Sequence, residues 1–472
     1  MVLLDREAAI RLVGSLRERL GGRWAEVFAE KRCVLTMRRG DLSGAWISEA
    51  WDAGVGIRLV MPNGRIRHSS STGLTSLSHH TAAQALELGA ADGSRSDTAA
   101  ALPDGQETSQ EEGISHWISG EKDALEPFVD SLAVAIGKET PNNCRLEIEA
   151  AISCQSLSHL STDTDLVGDQ RTGVRITVLL IGPGSTVRRR WAAESCPDLF
   201  GKRDPAACAS AIEDARKRLA HAAVAPSGSF PVVFAAGSGG LLIHEAIGHL
   251  LEGDLVRREG SLFSSSLAEA GSKDRLPLLS PLLTVSDNPL GLRGRGSYRI
   301  DDEGAPARPS MLVDCGRIAG WVGDRWNSTA TTGHARRQSH RDPPLPRLAC
   351  TSCAVGVHDP EEILRDTPAG VYVDELRSGF IDPSSGDFVL HAAEGRMIEG
   401  GRLTAGVRDL LILGNAVESL ANVDRLGNDL ASDGGAHSCV RSGQAIATIV
   451  CMPTLRIASI WVRAMAVPRD SR

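Results

Sequence analysis

A chain of 472 residues with 59 acidic against 51 basic side chains, a net charge of −8, has no basic field with which to hold nucleic acid. Hydrophobic residues make up 42% and aromatics only 4%, so the core must rest on Leu, Val, Ile and Ala, and 49 glycines imply many turns. Ten cysteines scattered over so long a chain fit free thiols in a reducing cytoplasm, the charged first residues do not read as a signal peptide, and no apolar run reaches the roughly 18 residues that cross a membrane.

Asp5 is placed to cap a helix whose apolar positions Ala9, Leu12, Val13, Leu16 and Leu20 share one face, with Gly21-Gly22 to end it. Trp24 to Arg38 and Ala53 to Met61 read as strands, and Pro62-Asn63-Gly64 turns the chain into Arg65 to His68. His79 and His80 are adjacent, cannot both face one ion from a regular element, and read as a solvated helix start. Residues 91–123 are polar and aperiodic, which predicts a flexible insertion, and a helix is expected at 124–137.

From Arg145 to Ile152 apolar and charged residues alternate, as in a half-buried strand. Val174 to Ile181 and Thr186 to Ala193 read as a hairpin whose Arg188-Arg189-Arg190 run forms a solvated face. Asp204-Pro205 opens a helix to about Ala223, stopping before Pro226. Beyond it come a strand at 230–236, a further helix, a loop-rich span at 257–297, and many short strands at 8 to 12 residue spacing. The expectation is α+β: an N-terminal α/β domain over 1–226, then a mostly antiparallel β domain over 227–472 carrying an inserted metal-binding helix.

That helix carries the chemistry. Gly239-Gly240 leads into aliphatic residues that frame His244-Glu245-Ala246-Ile247-Gly248-His249, the spacing H-E-x-x-x-H. Composition alone yields about 0.04 such patterns in a chain of this make-up. The competing reading is a buried helix whose histidines bond to backbone. In a straight α-helix residue i+5 has turned roughly 140° from i, too far for two rings to share one ion. The spacing therefore predicts a π-bulge between Ile243 and Leu250, with Gly248 as the yielding point. A catalytic zinc takes three protein ligands and leaves one position open, so a third ligand must come from elsewhere.

The segments PVVFAAGSGGLLIHEAIGHLLEGD (231–254), RREGSLFS (257–264), YRIDDEGAP (298–306), PRLACTS (346–352), GND (427–429) and CVRSGQ (439–444) together resemble the TldD/PmbA family of metal-dependent peptidases. H-E-x-x-x-H with a distal cysteine matches its TldD-like, metal-binding branch. The resemblance implies one zinc per chain on His244, His249 and Cys439, with Glu245 expected as the general base for the water the metal would activate. His437, two residues before Cys439, is a local rival as ligand; a structural ion pair with Arg257 or Arg258 is the alternative for Glu245. Glu252 and Asp254 continue the signature as candidate acceptors for the ligand imidazoles, a helix cap or salt bridge being the alternative. Family members tend to have Asn where this chain has Cys350, and Cys350 and Cys353 read as two free thiols.

The function implied is hydrolysis of peptides or unfolded segments in an enclosed cavity, by a dimer with a metal-free TldE/PmbA-like paralogue or with itself. The rival functions are a non-catalytic scaffold or regulatory subunit of a peptidase complex, and a metallo-amidase acting on a modified peptide in a biosynthetic pathway.

Overall fold

The computed structural model describes residues 3–74, 109–201, 203–264, 279–327 and 333–465. His79, His80 and residues 91–108 of the expected insertion lie outside this set. Among the described residues no helix is long and apolar enough to cross a membrane.

The first helix, α1 (Arg6–Leu20), forms as its spacing predicts: Asp5 accepts the Ala8 N–H at 2.7 Å, and Gly21, at φ 65°, ends the helix in the left-handed conformation. Six strands follow, β1 (Trp24–Gly40), β2 (Trp46–Val60), β3 (Ile66–Thr72), β4 (Arg145–Ser161), β5 (Val167–Gly182) and β6 (Ser185–Ala193). They make one antiparallel sheet in the order β3-β2-β1-β4-β5-β6. Alternation along β1 separates its two faces. Ala25, Val27 and Ala29 are buried in the cluster that includes Val13 and Leu16 of α1, while Cys33, Leu35 and Met37 share a cluster with α2 (Ser109–Glu139) and α3 (Pro205–Ala220). The opposite face carries Glu26, Glu30 and Arg32 toward residues 298–347.

Helix α2 corrects the expected insertion, because residues 109–123 are helical. Ile114, Ile118, Leu125, Phe128, Val129, Leu132 and Ile136 form a narrow buried stripe along its 31 residues. So thin a stripe is diluted by polar neighbours and interrupted by Gly113, Gly120 and Pro127, which hid it in the sequence. Tertiary packing on the sheet supplies what propensity lacks.

In the second half β7 (Gly228–Phe234), β8 (Val285–Asp287), β9 (Cys350–Cys353), β10 (Ala369–Ile381), β11 (Asp387–Glu399), β12 (Arg402–Asn415), β13 (His437–Arg441), β14 (Gln444–Met452) and β15 (Leu455–Ala464) build two structures. Strands β15, β7, β10, β11 and β12 close into a barrel, since β12 returns to pair with β15. A closed barrel leaves no edge. The short strands expected do occur at 285–353 and 423–441, but over 369–415 three long ones, 13, 13 and 14 residues for β10 to β12, stand in their place, because bulges let them curve without turns. Beside the barrel, β8, β9 and β14 are neighbouring strands of a second seven-stranded sheet, which the β13–β14 hairpin joins.

The two halves meet through buried charges. Glu26 receives Arg337 at 2.7 Å, Arg58 at 3.0 Å and His159 at 2.9 Å, and Arg58 also bonds Glu303. In the same network burial, then the nearby Glu303 charge, pushes Asp324 up to about 6. The fold therefore binds this proton more tightly than the unfolded chain; the resulting stability is complete below about pH 4 and is lost as pH rises through 6. Asp324→Asn keeps an acceptor oxygen for the Trp326 and Asn327 amides without the charge. We expect it to gain about 1–3 kcal/mol on wild type between pH 4 and pH 7, read from urea midpoints at the two pH values. An unchanged gap refutes this.

Candidate metal centre

The chain enters the site from β7. Gly237 turns it at φ 80°, and a helix begins at Gly240. A Cβ on Gly239 would lie 2.5 Å from Met452 Cε and 2.6 Å from the Ala235 oxygen, so glycine lets the helix seat directly against β14. Gly240–Ile243 is α-helical, His244–Gly248 is a π turn and His249–Leu251 is 3-10. The π turn closes when the His249 N–H donates to the His244 carbonyl, the i to i+5 bond that the spacing requires. As a result the two rings meet edge to face, with centroids 4.8 Å apart and planes at 80°.

Gly248 yields for a packing reason as well. A Cβ there would lie 2.3 Å from Leu348 Cδ1 in the core. Gly248→Val should therefore cost about 1–3 kcal/mol by overpacking, measured by urea denaturation, and Leu348→Ala in that background should restore part of it. No recovery in the double variant would place the strain elsewhere.

The third candidate donor arrives on β13. Its hairpin with β14 turns at Ser442 and Gly443, both at positive φ (51° and 77°), the geometry of a tight two-residue turn, and this sets Cys439 opposite Ile446. Cys439 Sγ lies 3.2 Å from His249 Nε2, and donor atoms of His244, His249 and Cys439 all fall within 4.8 Å of one another. Bonds of ~2.3 Å to sulfur and ~2.0–2.1 Å to nitrogen separate two tetrahedral donors by about 3.5 Å, so the spacing fits one metal ion. His244 Nδ1 supports the fit: it is buried and has no hydrogen-bond partner.

Electrostatics point the same way. Burial opposes charge on Cys439, yet the facing His249 and His244 hold its thiol well below the usual range. Burial likewise opposes charge on His249, but Glu252 and Cys439 raise it well above an ordinary imidazole. Cys439 and His249 thus favour a thiolate facing an imidazolium, a pair that a divalent ion takes up on releasing the proton of the ring.

The remaining candidates divide. Glu245 lines a cleft of about 470 Å³ together with His244, His249, Cys439 and Arg441. Its Cγ sits where a Cβ of Gly379 would be, at 2.5 Å, so that glycine makes its space. Neither Arg257 nor Arg258 is paired with it among the described residues. Glu252 is fully buried and accepts from His249 Nδ1 at 3.2 Å. Asp254 does not meet an imidazole; it pairs with Arg441 Nη2 at 2.7 Å, because Glu252, extended at φ −87° and ψ 126°, breaks the helix and Asp254 belongs to the separate turn Gly253–Arg257. His437 is held by Asp433 at 2.8 Å and Arg190 at 3.2 Å, outside the trio. Cys350 Sγ lies 4.0 Å from Cys451 while Cys353 is buried in the core beside the barrel, so this pair does not converge, and all ten cysteines are free.

Sequence reasoning missed three residues that hold the site. Arg441 bridges Glu252, at 3.1 Å, and Asp254; two residues beyond Cys439 on a strand it shares the same face, a signal that was available. Arg347, fully buried, donates to the Cys439 carbonyl at 2.8 Å. Asp433 accepts the backbone N–H groups of Gly435, His437 and Val450 and so shapes the approach to β13. A second trio, Glu30, Asp52 and His340, is also compact, but Asp52 is taken by both guanidinium nitrogens of Arg341 and Glu30 by Gln155.

Comparison with known proteins gives the family. The chain is 32% identical over 317 residues to the "Metalloprotease TldD homolog" of Haemophilus influenzae, covering 64% of each chain. It is 30% identical over 334 residues to that of Buchnera aphidicola subsp. Acyrthosiphon pisum, covering 67% of this chain and 68% of the relative. The chain therefore spans about two thirds of the length of these relatives. In fold it is similar to TldE from Thermococcus kodakarensis, with a TM-score of 0.72 at 16% identity over 97% of this chain and 100% of that one. Residues 227–464 match the PmbA/TldA metallopeptidase C-terminal domain, and the chain belongs to the TldD/PmbA family.

Proposed function

We propose that this chain is a zinc-dependent peptidase of the TldD type, with one zinc held by His244, His249 and Cys439. The observation that carries the reading is the π turn, which sets both imidazoles beside Cys439 with Glu245 next in the chain and facing the same cleft. Two imidazoles and one thiolate suit zinc, and three protein ligands leave the open position of a catalytic site. When bound, the metal supplies a Lewis acid that polarises a peptide carbonyl and acidifies water.

The chain's own residues do the rest. Glu245 takes the proton of the attacking water and delivers it to the leaving amine. Glu252, itself held ionised against its burial by His249, Arg441 and Arg347, fixes the His249 ring through Nδ1 and leaves Nε2 for the metal. Apolar Leu241, Leu255, Phe380 and Val440 line the cleft and accommodate side chains of an extended, unfolded segment. Asp254 acts one step further out, by holding Arg441.

We place the boundary between two domains at 226/227, just where the family match begins, and the protein in the cytoplasm, where ten free thiols persist. We further propose a dimer with a metal-free TldE/PmbA-like paralogue or with itself. The test is metal analysis of the purified chain together with mass-spectrometric cleavage of a pool of unstructured peptides, alone and with the paralogue. One equivalent of zinc is expected, with cleavage lost to a chelator and restored by zinc. Full metal occupancy without cleavage in either assembly would make the ion structural and the chain a scaffold.

A further inference from the structure

A second cavity, of about 220 Å³, lies where the first sheet meets the C-terminal half, on the face turned away from α2 and α3. Strand register brings Arg32, Gln155 and Arg171 into one row and Val34, Ser153 and Gly173 into the next. The small residues of the second row make a floor. Gly173 also admits the Arg295 side chain, whose Cγ lies 2.6 Å from where a Cβ would be. Arg175, Arg336 and Arg337 complete a wall of six arginines, and no carboxylate lines it.

The carboxylates at its margin are already shared. Asp302 serves Arg171 at 2.7 Å and Arg336 at 3.4 Å. Glu26 serves Arg337 together with Arg58 and His159. Glu149 is 3.4 Å from Arg175 but 2.6 Å from Arg38, and Asp52 binds Arg341 while Arg32 stands at 3.6 Å. Arg295 finds the Gly435 carbonyl at 2.9 Å and a serine, not an acid. Most telling, Nη1 of Arg336 and both Nε and Nη1 of Arg337 are buried without a hydrogen-bond partner, in side chains only 7% and 2% exposed, and Arg336 Nε has no more than the 3.4 Å approach of Asp302. The two guanidinium groups lie over Tyr298 and Phe28, which cover their faces and satisfy none of their N–H groups; Arg337 Nη2 alone is well served, by Glu26 at 2.7 Å and the Asp302 carbonyl at 2.8 Å. Burial and the nearby Arg175 push Arg295 down to about 10, the mark of cations crowded without enough counter-charge.

We propose that this cavity binds a small phosphate-class dianion, either inorganic phosphate or the phosphate group of a small ester. Unsatisfied buried donors cost stability until an acceptor with several oxygens reaches them. A tetrahedral dianion meets guanidinium forks from several directions, and neutralises more of the excess charge than one carboxylate does. A cavity of 220 Å³ displaces about seven waters' volume, room for one such group with a short ester arm. None of the six arginines lines the metal cleft, so this inference stands or falls separately from the peptidase reading.

The test is isothermal titration calorimetry of the full chain with inorganic phosphate, glycerol phosphate and succinate in low-salt chloride buffer, with thermal melts to verify folding. One-to-one saturable phosphate binding is expected, weakened at least tenfold in Arg336→Gln. Should that variant not fold, Val34→Glu carries the test, since it sets a carboxylate inside the cavity from a partly exposed strand position and should abolish binding. Glycerol phosphate binding as tightly as phosphate assigns the site to esters; phosphate alone assigns it to the free ion. No saturable heat at millimolar phosphate, affinity unchanged in both variants, or succinate binding equally well overturns the proposal.

Discussion

Glu245→Ala should abolish peptide cleavage while metal content and folding stay as in the wild type. The residue is next to His244 in the π turn, but its carboxylate is not among the donors of the trio, so removing it costs no ligand. It lies at the wall of the cleft with a relative exposure of 9%, and truncation there opens space to water rather than a void in the core. A positioned proton-transfer group is worth 10²–10⁴ in rate, so kcat should fall at least about 100-fold with KM little changed. Glu245→Gln, which keeps the shape and loses the base, should fall as far. Gly379→Ala supplies a second arm: its Cβ would collide with Glu245 Cγ, so it should lower kcat by displacing the carboxylate. Activity within tenfold of wild type in Glu245→Ala would remove the general-base role.

How much of this is legible in the sequence depends on distance along the chain. The π turn followed from one extra residue between His244 and His249, a local constraint that helix geometry settles. The caps of α1 and α3 were readable for the same reason. Cys439 was not: it stands 190 residues from His249, and only family resemblance joined the two. Arg347 acts on the Cys439 carbonyl 92 residues away, which leaves no spacing to read, whereas Asp433 accepts from Gly435 and His437 close by in the chain, a turn signal that was available. Barrel closure escaped too, since the pairing of β12 with β15 depends on curvature that bulges introduce, and alternation cannot show where a sheet ends. The half-hidden α2 shows the converse failure, where composition overrode a thin and interrupted apolar stripe.

Cys439→Ala should release the metal. The thiolate is the donor brought from farthest away, and two imidazoles on one turn leave an ion with too few protein ligands to hold. Loss of a partner that only orients a ligand, as in Glu252→Gln, costs 10–100-fold in affinity, so loss of the ligand itself should exceed about 100-fold. Stability reports this without any substrate. At a free zinc concentration 1,000 times the wild-type Kd, binding stabilises the fold by about 4 kcal/mol, and a 100-fold weaker variant retains about 1.4 kcal/mol, so the zinc-dependent rise in Tm should shrink to roughly a third. His437 is the nearest substitute, two residues away on the same strand. To reach the ion it would have to leave Asp433, at 2.8 Å, and Arg190, and the Asp433 contact helps to shape the hairpin itself. A Cys439→Ala protein that keeps one equivalent of zinc at unchanged affinity would transfer the role to His437, and Cys439→Ala/His437→Ala would then lose the ion where the single variant does not.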